Sequence, residues 1–414
     1  MPYNRARAVE LMQQCDLDAL VASSPVNVFY LSGYDCWLDP LNKEYMGKPG
    51  ASGERAFQNF AVLPRQGDPL LVVPGMFAVN AGSFPVQDIT SYGMPPLDRA
   101  RMPLELAPYT RSLLDVFDSS PFETSSQALV AALEKRGLHR GRIGLELEGM
   151  PLRTRRAVEE GLGRAEIRDC TNLLRLVRAV KTAEEIERLA EVTRIGEEAA
   201  HAALACARAG QPIRELARCF GARAAERGAA VDHFAYGVRG LGIGLRSPYT
   251  LAARDILYVD YGCIADGYIS DSGLTLALDL FPEMSECYTV VSESISAGVE
   301  ALRPGILSSE VQAAMQARFA SFGTFVGFPH GHGIGLELRD YPILVPRNGL
   351  AIQDDCVDVS SDLPLEPGMV VNLEASIFIP DVGSLNREQS FVITAGGSRP
   401  LVPQERSIPV QPLQ

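Results

Sequence analysis

ILYVDYGCIADGYISDSGLTLAL, residues 256–278, is the stretch on which the fold reading turns. It reads as two apolar strands flanking a turn at Ala265-Asp266-Gly267. Strands paired in a hairpin share a constant index sum, and Asp260 and Asp271 are symmetric about the Ala265/Asp266 point. That register predicts two aspartates facing each other on one face, with Cβ atoms about 5 Å apart. Opposed carboxylates repel, so such a pair calls for a shared proton, a basic partner or a metal ion.

The device recurs downstream. GMVVNLEASIFIPDVGSLNREQSFVIT, residues 368–394, has its turn at Pro380-Asp381-Val382-Gly383, and Glu374 and Glu388 are symmetric about Asp381. One such pair is equally well read as solvent-facing acids on half-buried strands; two pairs in one domain argue for a site. Between the hairpins lies His330-Gly331-His332-Gly333-Ile334-Gly335, in a chain with five histidines. Its glycines permit unusual backbone angles and hold an imidazole out from a loop. Four carboxylates and one imidazole suit a pair of Mn²⁺, Co²⁺ or Fe²⁺ ions better than a thiolate-type zinc site. Ions in such a set activate water for attack on a carbonyl or amidine carbon.

Outward from this core, KTAEEIERLAEVTRIGEEAAHAALACARAG (181–210) is the clearest helix. Thr182 and Glu185 form a capping box, Ile186, Leu189, Val192 and Ile195 supply an apolar stripe, and Gly210 is the expected stop. Further helices are expected near 285–302 and 308–322. The N-terminal part alternates helices and strands, as an α/β domain does. A helix covers 5–15, LDALVASS is a buried strand, FYLSGY starts another, and NFAVLPRQGDPLLVVPG is a hairpin around Gln66-Gly67-Asp68. The helix 126–136 precedes a strand at RIGLELEGM. The domain limits so read are 1–165 and 175–414.

The 414 residues carry a net charge of −13, with 46% hydrophobic and 21% charged residues. This is a globular composition with no basic face for nucleic acid or for an anionic membrane. No secretory leader or run of apolar residues long enough to span a bilayer is evident. Eight scattered cysteines without a Cys-x-x-Cys pair fit reduced thiols in the cytoplasm.

In this order the motifs resemble the pita-bread metallopeptidases: methionine aminopeptidases, Xaa-Pro aminopeptidases, prolidases and creatinase. DLDALVASSPVNVFYLSGY (16–34) is similar to the creatinase/prolidase N-terminal domain, and LLRLVRAVKTAEEIERL (173–189) to the entry of the catalytic domain. VDYGCIADGYISDSGLT, GHGIGLELRDYP, LEPGMVVNLEAS and NREQSFVIT resemble the motifs that carry the ligands. The resemblance implies an α+β pita-bread catalytic domain behind an α/β N-terminal domain. It implies two divalent ions, Mn²⁺ first, with Co²⁺, Fe²⁺ or Zn²⁺ as alternatives. Asp260 and Asp271 would hold one, and Asp271, His332, Glu374 and Glu388 the other, with Asp271 and Glu388 bridging. Glu374 and His330 are the expected catalytic groups.

The departures matter as much. Peptidases of this family carry two further histidines that hold substrate and move protons. One lies shortly before the first aspartate, where this chain reads Arg246-Ser247-Pro248-Tyr249-Thr250. The other lies seven residues beyond the histidine ligand, where Arg339-Asp340 stands. Arginine does not shuttle protons near neutral pH. Arg246 and Arg339 are therefore expected to bind an anionic substrate, with pairing of Arg339 to Asp340 or Glu337 as the alternative. The expectation is a cytoplasmic homodimer hydrolysing a C–N bond of a small molecule or short peptide. An Xaa-Pro aminopeptidase or dipeptidase, a lyase and a silent binding protein of the same fold are its rivals. In the dimer, Trp37, Tyr45 or Arg55, from the loop CWLDPLNKEYMGKPGASGERAFQNF (36–60), is expected to reach the neighbouring site.

Overall fold

A computed structural model describes residues 3–36, 50, 53–81, 85–86, 88–93, 100, 102–103, 105–118, 122–237, 242–245, 248–279, 282–319 and 326–404. The chain forms two compact units, residues 1–177 with 352–359, and residues 178–351 with 360–414.

The first unit carries helices α1 (Arg5–Gln14), α2 (Pro25–Ser32), α3 (Ala78–Ala81), α4 (Pro108–Asp118), α5 (Ser125–Lys135) and α6 (Leu152–Gly161), and most of α7 (Thr171–Ala179). Its strands are β1 (Ala19–Ala22), β2 (Phe60–Pro64), β3 (Leu70–Pro74), β4 (Asp88–Tyr92), β5 (Arg142–Leu145) and β6 (Glu166–Asp169). They form a mixed sheet in the order β4-β3-β2-β1-β5-β6. β2 and β3 are antiparallel neighbours around the Gln66-Gly67-Asp68 turn. One element departs from the sequence reading: FYLSGY belongs to α2 and starts no strand. Ser24 caps that helix by accepting a hydrogen bond from the Asn27 amide, Pro25 opens it, and Gly33 closes it at φ 75°. Such start and stop signals outweigh the β-propensity of Val28, Phe29 and Tyr30.

The second unit holds α8 (Ala183–Leu204), α9 (Ile213–Glu226), α10 (Pro282–Ala301) and α11 (Ser308–Phe319). Thr182 and Glu185 close both halves of the capping box on α8. The helix ends at Leu204, short of the Gly210 stop. The strands are β7 (Ala230–Gly237), β8 (Ile243–Gly244), β9 (Ile256–Ala265), β10 (Tyr268–Ile269), β11 (Ser272–Ala277), β12 (Val326–Gly333) and β13 (Asp340–Leu344). In chain order a small hairpin of β14 (Ala351–Gln353) and β15 (Asp358–Ser360), most of which belongs to the first unit, comes next, then β16 (Val370–Ile379), β17 (Gly383–Thr394) and β18 (Gly397–Pro400) of the second. The main sheet runs β13-β12-β16-β17-β11-β9-β7-β8, with β10 on β9 and β18 on β17.

Alternation along β16 sets the two faces of this sheet. Val371, Leu373, Ala375 and Ile377 enter the core with Met284, Val291, Ile295, Val311 and Met315 of α10 and α11. Each of these side chains other than that of Ala375 contributes about 1.5–3 kcal/mol on burial. Asn372, Glu374, Ser376 and Phe378 point the other way, and that face carries the candidate site.

Candidate metal centre

The first hairpin is built on Asp266 and Gly267, at φ 48° and 80°, a two-residue turn of the Asp-Gly kind. The register is therefore Ala265↔Tyr268 and Asp260↔Gly273. This corrects the expected pairing of Asp260 with Asp271 by two residues. A shift of two preserves the face, so Asp271 becomes the diagonal neighbour of Asp260. The second hairpin sets Glu374 directly opposite Glu388. β12 then lays His330 against Glu374 and His332 against Asn372.

Donor atoms of Asp271, His332, Glu374 and Glu388 lie within 4.8 Å of one another, as do those of His233, Asp260 and Asp271. His332 Nε2 is 3.2 Å from Asp271 Oδ2 and 3.0 Å from Glu374 Oε1. Its Nδ1 is 2.9 Å from the Gly333 carbonyl. A carbonyl only accepts, so Nδ1 carries the hydrogen and Nε2 faces the carboxylates. His330 Nε2 lies 3.2 Å from Glu374 Oε2. Tyr258 donates to Asp260 Oδ2 at 3.0 Å, and its ring begins a stacked row through Phe378 and Phe328 to His330.

Glu388 is tucked against Gly273 with its oxygens held by the Asn372 and Asn386 amides, the latter at 3.4 Å. Ser390 Oγ donates to Asn372 Oδ1 and Ser376 Oγ to Asn386 Oδ1. A Cβ added at Gly273 would lie 2.0 Å from Asn386 Nδ2 and 2.7 Å from Glu388 Oε2.

The electrostatics fit a cation. Burial, then the charges of Asp271, Glu374 and Asp260, push Glu388 far above the usual carboxylate range. Burial also raises Asp260, against its bond to His233. Burial likewise opposes ionisation of Glu374, but hydrogen bonds from His330 and His332 outweigh it and bring it to about 2. The same contest, won by bonds from His233 and His332, lowers Asp271. Burial disfavours the charged His332 and His233, yet carboxylate bonds carry them to about 9 and about 12. A centre that raises two of its buried acids and both of its imidazoles, while two further acids stay ionised, is chemically matched to divalent ions bound by oxygen and nitrogen.

Residues 187–395 match the family model for Metallopeptidase family M24, and residues 5–180 that for the Creatinase/Prolidase N-terminal domain. The chain belongs to metallopeptidase family M24. An uncharacterized peptidase, YqhT, of Bacillus subtilis is 29% identical over 266 residues, 62% of this chain and 72% of that one. An Xaa-Pro dipeptidase of Pyrococcus horikoshii is 28% identical over 251 residues, 59% of this chain and 68% of that one. In fold, the X-Pro aminopeptidase of Thermotoga maritima superposes with a TM-score of 0.74 at 18% identity, covering 96% of this chain and 99% of the other. As an M24 member, this chain is a metal-dependent hydrolase acting on C–N bonds.

Of the two arginines, Arg339 is half-exposed beside the cluster, with Nη2 3.3 Å from His330 Nε2 and 4.0 Å from Glu374 Oε1. Its alternative partners are engaged elsewhere: Arg178 bonds Glu337 and Asp340, and Lys181 Nζ lies 3.7 Å from Asp340 Oδ2. Arg246 lies outside the described residues, as do Trp37 and Tyr45; the Arg55 amide donates to Thr154 Oγ1. His233 escaped the sequence reading. It sits on β7, opposite β9, 27 residues before Asp260. The signal that could have found it was the dipeptide Asp232-His233 opening the apolar run Phe234-Ala235-Tyr236.

Proposed function

We propose that this protein is a binuclear hydrolase of dipeptides or comparably small C–N substrates bearing an anionic group, working as a cytoplasmic homodimer. The domain limits proposed are 1–165 and 175–414. Asp260 and Asp271 hold one divalent ion, and Asp271, His332, Glu374 and Glu388 the other, with Mn²⁺ the first ion to test. The observation that carries this reading is Asp271, whose Oδ1 faces one group of donors and Oδ2 the other. Divalent ions in such a set polarise a carbonyl and lower the pKa of water.

The chain's own groups divide the remaining work. Glu374, bonded to His330 through Oε2, is placed to take a proton from the attacking water and pass it on. Arg339 offers its planar fork to a substrate carboxylate, and Arg246 is assigned the same task from the sequence. The row Phe328–Phe378–Tyr258 gives an apolar side chain a wall to lie on. Support for a dipeptide comes from the similar Pyrococcus horikoshii protein, an Xaa-Pro dipeptidase.

The test is metal titration alongside a substrate panel. Purified protein should take up about two divalent ions per chain and lose turnover with chelator, and Asp271→Ala should lose both ions. Dipeptides with a free carboxylate should be cleaved faster than their amides. Protein that binds no ion, or turns over unchanged in chelator, overturns the reading.

A further inference from the structure

The five residues that the sequence singled out leave the two ions unequal: one has an imidazole among its donors, the other has carboxylates only. His233 removes that inequality. Its Nε2 lies 2.7 Å from Asp260 Oδ1 and 3.4 Å from Asp271 Oδ1, and its side chain is mostly buried. Its Nδ1 lies 2.7 Å from Asp232 Oδ2. Next to a carboxylate, Nδ1 carries a hydrogen, which leaves Nε2 as the atom presented to Asp260 and Asp271.

His332 is arranged in the same way on the other side of Asp271. Its Nδ1 is tied back to the Gly333 carbonyl and its Nε2 faces Asp271 Oδ2 and Glu374. Tying back one ring nitrogen so that the other meets a metal is how ligating histidines are oriented, and carboxylates and carbonyls are the usual partners. Two unrelated stretches of chain therefore bring an imidazole with the same polarity to opposite oxygens of one aspartate. The bulge in β7 between Val231 and His233 is what turns the ring onto this face.

We propose that His233, oriented by Asp232, is a further metal ligand that completes the Asp260–Asp271 subsite, so that each ion is held by one imidazole. The proposal rests on the reading that Asp260 and Asp271 hold an ion. It fits the donor chemistry: a three-donor group of two carboxylates and one imidazole suits a first-row ion and leaves positions open for water and substrate. A histidine serving only as a hydrogen-bond donor to Asp260 would need no second carboxylate holding its far nitrogen.

Cobalt(II) provides a readout separate from turnover. Protein loaded with two equivalents of Co²⁺ should show two hyperfine-shifted, exchangeable imidazole N–H proton signals, one from each ligating ring. His233→Ala should lose one signal and bind the weaker ion at least about tenfold less tightly, while the tighter ion is unchanged. Asp232→Asn, which keeps shape and fold, should retain both signals yet weaken the same ion about tenfold, within the 10–100-fold range for such partners. Wild-type protein that binds two Co²⁺ but shows one imidazole signal overturns the assignment and leaves the binuclear reading standing. So does an Asp232→Asn variant with wild-type affinity for both ions. Protein that takes up fewer than two ions overturns both.

Discussion

Arg339 stands where peptidases of the resembling family place a proton-moving histidine, and the structure leaves its guanidinium beside His330 and Glu374. The acids that could have neutralised it are spent on Arg178 and Lys181. Burial lowers the Lys181 pKa, and burial likewise opposes ionisation of Asp340, but the two cations hold that carboxyl below its ordinary range. Arg339 is therefore available to substrate. Arg339→Ala should raise KM for a carboxylate-bearing dipeptide tenfold or more, about 1.4 kcal/mol, with metal content unchanged. Steady-state kinetics and metal analysis on one preparation check this; equal KM for wild type and variant removes Arg339 from recognition. The departure at 339 was visible in the sequence because the spacing from His332 is short and local. His233 was not, because the pairing of β7 with β9 spans 27 residues and contains a bulge, and strand-to-strand register over such a distance leaves no periodic trace.

Local signals carried the elements well wherever turn chemistry or capping decided them. The Glu374–Glu388 register followed from the turn around Asp381, itself at φ 61°. The Asp260 hairpin was misplaced by two residues because Asp266-Gly267 alone makes the turn, and the error left the face intact. At the start of α8, Glu185 closes the capping box yet is buried among Lys181, Asp340 and Tyr268, whose hydroxyl is 3.5 Å away. Burial dominates, opposed by the Thr182 amide and Lys181, and the carboxyl is pushed up to about 7 from 4.5. The folded state then binds the proton more tightly than the unfolded chain. This group's contribution is present in full below pH 4.5, is lost as pH rises through the window from 4.5 to 7, and is constant above it. The change is on the order of 3 kcal/mol. Glu185→Gln keeps the cap and removes the charge, so denaturant unfolding at pH 5 and pH 8 should show the variant gaining on wild type at the higher pH. A difference between the two proteins that is the same at both pH values rules this out.

Among the described residues no helix is long and apolar enough to cross a membrane, and all eight cysteines are free thiols. At the scale of the whole molecule the expectation is a dimer in which residues 36–60 of one subunit reach the partner's centre. Light scattering should give twice the chain mass. With −13 charges on each chain, like-charge repulsion opposes association, so moderate salt should tighten the dimer. Mixing is the sharper measurement. An Asp271→Ala chain and a Trp37→Ala, Tyr45→Ala chain, each inactive alone, should regain part of the activity when allowed to exchange. A fully active monomer sinks the proposal. The two-domain plan was legible in the sequence from the change of pattern near Lys181. The assignment of residues 352–359 to the first unit was not, since it depends on where a late hairpin packs.

Gly273 has a genetic corollary. Every missense change one nucleotide away from a glycine codon brings in Ala, Val, Ser, Cys, Asp, Glu, Arg or Trp, and each of these carries a Cβ. Any of them would push into the Asn386 amide that bonds Glu388, and against Glu388 itself. Each single missense step at this position should therefore displace the groups that hold Glu388, and the codon is expected to drift through its third base.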